Sequence, residues 1–136
     1  MKEVMAVIRM DKVNLTKKAL LDVGIPGFSA ISVKGRGKLV EDPSVIEGRK
    51  ETILALGRSK EDEKAEKMVV EFLDGTRLFP RRLFTVLVRD EEVDRTVEAI
   101  IKANRTENKV GDGKIFILPF DEAIRIRTGD SGNSAL

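Results

Sequence analysis

Three basic, glycine-containing segments are the groups best suited to hold an anion: Lys34-Gly35-Arg36-Gly37-Lys38, Gly111-Asp112-Gly113-Lys114 and Arg125-Ile126-Arg127-Thr128-Gly129. Glycine lets backbone N–H groups approach a phosphate closely, and Lys or Arg supplies the countercharge. Were the third segment a strand, Arg125 and Arg127 would share one face, with Ile124 and Ile126 on the other. Two guanidiniums on one face can clamp an anion. Each segment also has an ordinary reading. Asp112-Gly113 is a good tight-turn dipeptide, the glycines at 35 and 37 suit a hairpin end, and an Arg-x-Arg strand suits a solvated edge. None matches the G-x-x-x-x-G-K-[ST] or G-x-G-x-x-G phosphate fingerprints. Phe79-Pro80-Arg81-Arg82 adds a fourth basic spot, whose plain reading is a snorkelling strand start. Asp90-Glu91-Glu92 begins a helix, where acidic residues complement the dipole, and Asp121-Glu122 suits a short turn in the same way. The sequence offers no triad, dyad or metal cluster, so catalysis has no support in it.

Missing residue types narrow the chemistry further. The chain of 136 residues has no Cys, His, Tyr or Trp. That removes disulfides, thiolate nucleophiles, the usual general base and the commonest zinc ligand. With 25 Lys+Arg against 23 Asp+Glu the formal charge is only +2, so no broad basic field for nucleic acid is expected. Hydrophobic residues at 41% suffice for a core. Apolar runs stay near five residues, against about 20 for a membrane span. The opening Met1-Lys2-Glu3-Val4 has no signal-peptide apolar region. A soluble cytoplasmic protein of one domain is expected.

The elements that must position the basic segments come from a duplication. Residues 4–21 and 84–101 align at a constant offset of 80: Arg9 with Arg89, Val13 with Val93, Thr16 with Thr96, and Ala19-Leu20-Leu21 with Ala99-Ile100-Ile101. Each half reads as a short apolar strand, a charged turn and a helix with one apolar face. The first helix stops at Gly24-Ile25-Pro26-Gly27. Second strands follow at Ser29–Lys34 and Lys114–Leu118. The spacing therefore predicts an α+β, ferredoxin-like βαββαβ fold: a four-stranded antiparallel sheet with both helices on one face. The strands carry apolar residues on both sides, so oligomerisation is expected to cover the open face. A long insert at 39–77 separates the halves and is expected to be a mobile interaction loop. Residues 129–136 are expected to form a flexible tail that orders on ligand binding.

Taken together, these segments resemble the PII signal-transduction family, over nearly the whole chain apart from the insert. The opening residues 1–37 resemble the family's start without gaps, Gly111–Phe116 resembles one signature segment, and Arg125–Gly129 resembles another. The resemblance implies a homotrimer of ferredoxin-like subunits that is not an enzyme. It implies ATP or ADP in clefts between subunits, 2-oxoglutarate with Mg²⁺ beside the ATP, and target control through a flexible T-loop, here the insert. By resemblance the phosphates would meet Gly35, Arg36, Gly37 and Lys38 together with Gly111, Asp112, Gly113 and Lys114. Arg125 and Arg127 would reach in from the adjacent subunit. Val7, Ser29 and the strand residues Thr85, Val86 and Leu87 would surround base and ribose. Gly37, Lys38, Leu39, Val40 and Arg81 occupy the positions that would meet 2-oxoglutarate, Arg81 standing where the family has a carboxylate-binding Lys.

Four departures accompany the likeness. The family commonly has Arg-Gln after the glycines, and this chain has Lys38-Leu39; Leu39 cannot ligate a hard cation. The T-loop tyrosine used for uridylylation is absent. The insert is longer than a standard T-loop, and Asn104–Lys109 is one residue longer than usual. A long T-loop without the tyrosine is similar to the nitrogenase-associated branch, in particular to the second paralogue of its pair. That likeness implies nitrogenase as target, as a homotrimer or in a mixed assembly with a paralogue. An ammonium channel is the alternative target, with Arg49 or Arg58 as the pore-entering residue. Two other classes fit the fold less well. An RNA-binding module would need stacking aromatics, and only six Phe occur. A nucleotide-transferring enzyme could not use phosphohistidine.

Overall fold

The computed structural model describes residues 1–38, 67, 71, 75–107 and 110–136. Leu39 and Val40, most of the expected insert including Arg49 and Arg58, and the pair 108–109 lie outside the described residues.

The chain divides into two compact units. One holds Met1–Val33, Pro80–Glu107 and Asp112–Leu136; the other holds Lys34–Phe79 and Asn108–Gly111. The strands are β1 (Lys2–Ile8), β2 (Ser29–Gly35), β3 (Phe79–Val88) and β4 (Lys114–Pro119); the helices are α1 (Val13–Asp22) and α2 (Val93–Asn104). They form one four-stranded sheet in the order β2-β3-β1-β4, with β1 antiparallel to both β3 and β4. This is the expected ferredoxin-like arrangement.

Period-two patterning explains the sheet. Val4, Ala6 and Ile8 of β1 are buried, and register sets Val4 opposite Val86 and Ala6 opposite Phe84. The core adds Leu20 and Ile25 from α1 and its exit, and Ile100 from α2. Each fully buried aliphatic or Phe side chain contributes about 1.5–3 kcal/mol. The Phe28 and Phe84 rings lie 5.6 Å apart in a tilted pair that closes this core near the start of β2. The other face carries Glu3, Met5 and Val7 of β1, opposite Leu87, Thr85 and Leu83 of β3, and opposite Leu118, Phe116 and Lys114 of β4. Phe116 is 48% exposed, so within this chain the face is open.

The duplication is visible in detail. A single 3-10 turn precedes each helix, at Met10–Lys12 and Asp90–Glu92. Thr16 and Thr96 are both fully buried, and each hydroxyl donates to the carbonyl four residues back, Lys12 at 2.9 Å and Glu92 at 2.7 Å. The two halves differ at their helix ends. Gly24, with φ +78°, terminates α1 and lets the Ile25 N–H reach the Leu20 carbonyl at 2.9 Å. The equivalent residue on α2 is Asn104. Its Nδ2 donates to Thr16 Oγ1 at 2.8 Å and to the Ile100 carbonyl at 2.9 Å, which ties the two helices together.

Candidate functional site

Strand alternation decides which of the expected residues line a cavity. Ser29, Thr85 and Leu87 line a cavity of about 620 Å³, together with Phe28, Phe120 and Leu136. Its apolar walls can take a planar ring, and its two hydroxyls offer polar handles. Val86 lies between Thr85 and Leu87 and points the opposite way, buried at 1% exposure in the core.

A second cavity of about 360 Å³ gathers Val7, Asp112, Gly113 and Lys114 against Ile100 and Asn104 of α2. Val7 and Lys114 stand opposite each other on β1 and β4. Gly113 explains the turn that opens β4. At φ +111°, a Cβ there would sit 2.0 Å from the Val7 carbonyl oxygen, so only glycine passes this close.

Asp112 has a structural partner set. Its carboxylate accepts the Thr106 hydroxyl at 2.6 Å and the Thr106 N–H at 2.9 Å, and Arg9 Nη2 lies 3.6 Å away. Burial alone would raise this carboxyl. The Thr106 hydrogen bonds and the Arg9 and Lys12 charges outweigh that and hold it below its ordinary value. Asp112 therefore stays ionised and fixes the turn that presents Lys114.

The third basic segment is a turn, not a strand. The Gly129 N–H donates to the Arg125 carbonyl at 2.8 Å, and the exposed Arg127 lies inside that turn. Ile124 pairs with Ser131 in an isolated bridge. The Arg125 guanidinium faces residues 130–136, which carry a 3-10 turn at Gly132–Ala135.

Arg81, the expected carboxylate contact, is partly buried. Burial and the nearby Arg9 charge lower its pKa, while Asp11 opposes them.

Gly35, Arg36, Gly37, Lys38 and Gly111 belong to the other unit. There the Arg36 side chain donates to the Gly75 carbonyl, and the Arg77 guanidinium lies 5.4 Å from the Phe79 ring centroid.

The arrangement of paired βα halves, the glycine turn before β4 and the basic turn near the end has counterparts among known proteins. Residues 1–130 match the family model described as nitrogen regulatory protein P-II. The chain belongs to the nitrogen regulatory protein P-II family. It is 40% identical, over the full length of both chains, to nitrogen fixation nifHD region GlnB-like protein 2 of Methanothermobacter marburgensis. It is 38% identical to the protein of the same kind encoded in the nifHD1 region of Methanosarcina barkeri, across all of this chain and 99% of that one. Nitrogen regulatory protein P-II of Rhodobacter capsulatus is also 38% identical, over both full chains. Relatives named for nitrogen-fixation regions are thus among the proteins that this P-II chain resembles, as its sequence suggested.

Several residues around the two cavities were not singled out in the sequence. Phe28 and Phe120 wall the larger cavity, and Arg9 and Thr106 anchor Asp112. Arg9 had one signal, its equivalence to Arg89. Both follow a strand that leads into a 3-10 turn. Arg9 lies against the loop before β4, and Arg89 Nη2 donates to the Asn133 carbonyl at 3.5 Å. Among the described residues no group of three Asp or Glu could hold a metal ion, and no helix is long and apolar enough to cross a membrane.

Proposed function

We propose that this P-II chain is a regulatory subunit that binds ATP or ADP and controls nitrogenase through the insert at 39–77. The observation that carries the target is the 40% full-length identity to a GlnB-like protein 2 named for a nitrogen-fixation region. Nucleotide binding is supported by the larger cavity. Its volume of about 620 Å³ falls in the range of small-molecule sites, and it pairs apolar walls with the hydroxyls of Ser29 and Thr85. Lys114, Arg125 and Arg127 provide the cations that phosphates need. Arg81, standing where the family has a carboxylate-binding Lys, is the residue that would meet 2-oxoglutarate, with Mg²⁺ supplied alongside the nucleotide.

The open sheet face supports assembly. Met5, Leu87, Phe116 and Leu118 lie on it, and covering them would remove apolar area from water at about 25 cal/mol per Å². A homotrimer is proposed, with a mixed assembly including a paralogue as the other way to cover this face.

Purified nitrogenase passed over the immobilised chain tests the target. Retention that differs between ADP and MgATP with 2-oxoglutarate is expected. No retention under any of these conditions would contradict the reading.

A further inference from the structure

Arg125 is committed to its own chain. Nη1 pairs with Asp130 Oδ2 at 3.3 Å, and Nη2 donates to the Ser134 and Leu136 main-chain oxygens at 3.0 and 3.1 Å. A guanidinium offers two bidentate edges, Nε with Nη2 and Nη1 with Nη2. Both edges need Nη2, and both Nη2 protons are engaged. An anion that takes Arg125 bidentately must therefore displace Ser134 or Leu136 from Nη2.

The same segment borders the larger cavity. Ala135 and Leu136 line it beside Ser29, Thr85 and Leu87. Further contacts hold the segment there. The Gly132 N–H donates to Glu122 Oε1 at 2.8 Å and to the Ala123 carbonyl at 2.9 Å, and Arg89 reaches the Asn133 carbonyl.

We propose that residues 130–136 are an internal competitor for the anionic part of the ligand, so that binding at Arg125 and docking of this segment exclude each other. The inference rests on the nucleotide reading above and adds a regulation to it: ligand binding releases the C-terminal turn, the reverse of the ordering expected from sequence. If the turn is docked in about nine molecules of ten, it weakens apparent affinity about tenfold. The released segment then signals occupancy on the protein surface.

Gly132→Val tests this without touching Arg125. Gly132 has φ +62°, a conformation that strains a β-branched residue, while a Cβ there meets nothing closer than 3.9 Å. The variant should loosen the turn and leave the rest of the fold intact, which thermal melting checks. Calorimetry with MgATP and amide hydrogen exchange of residues 130–136 are run on the full chain and the variant. Tighter binding by Gly132→Val, with faster exchange of 130–136 in the full chain on adding MgATP, supports the proposal. Binding by the variant alone supports it too. Equal or weaker binding by the variant, or slower exchange on adding MgATP, overturns the proposal while leaving the nucleotide reading in place. No binding of ATP or ADP by either protein overturns both.

Discussion

Gly113 and Asp112 show how one turn serves both fold and site. Gly113→Ala puts a Cβ within contact of the Val7 carbonyl at a φ that favours glycine. It should cost more than about 2 kcal/mol and lower the thermal midpoint by at least several degrees; an unchanged midpoint would contradict the close approach. Asp112→Asn tests the ion. The Asp112 carboxyl is held below its ordinary value, so its contribution is present above the unfolded pKa of about 3.9 and is lost as pH falls through the folded one. The stability difference between wild type and Asp112→Asn, from urea titrations, should be largest near neutral pH and shrink as pH falls below about 4. A difference independent of pH would mean the Thr106 and Arg9 contacts do not act through charge. This partner set was not legible in the sequence. Arg9 and Asp112 are far apart along the chain, and an ion pair leaves no periodic trace. The glycine turn itself was legible, because Asp-Gly has local backbone consequences.

At the scale of elements, the duplication carried most of the fold. Strands and helices repeat at one offset because each half must bury the same apolar face, and periodicity records burial. The helix ends were less legible. Gly24 announced its own stop, but Asn104 gave no sign that it would reach across to Thr16. Asn104→Ala removes two buried hydrogen bonds and should destabilise by about 1–3 kcal/mol. A double-mutant cycle with Thr16→Val should give a coupling of at least about 0.5 kcal/mol, and additive effects would show that the pair does not join the helices. The segment 125–129 illustrates where alternation misleads. Arg-x-Arg has strand periodicity, yet Thr128-Gly129 lets the chain turn, with Gly129 at φ +74°. Val86 shows the same limit in reverse. Three consecutive strand residues were grouped as one contact, and the pleat sends the middle one into the core.

For the whole molecule, the apolar open face is the feature that needs company. Light scattering should report a mass near three times 15.1 kDa, and Phe116→Glu, on the open face, should shift it toward one chain. A monomeric wild type would contradict the assembly. Family membership was legible because several short motifs keep their order across the chain, and their joint occurrence is far more specific than any one. The target was not, since the insert proposed to reach it has a composition that carries little information about shape.

Isothermal titration calorimetry of the purified protein with ATP, with ADP, and with 2-oxoglutarate plus MgATP tests the central claim most directly. The account predicts binding of ATP or ADP near one site per chain with a Kd of about micromolar order. Enhancement by 2-oxoglutarate would show that a carboxylate site is complete despite Leu39. Binding without that enhancement would confine the signal to adenylate levels. No binding of either nucleotide under any of these conditions, by the protein or by Gly132→Val, would contradict the account.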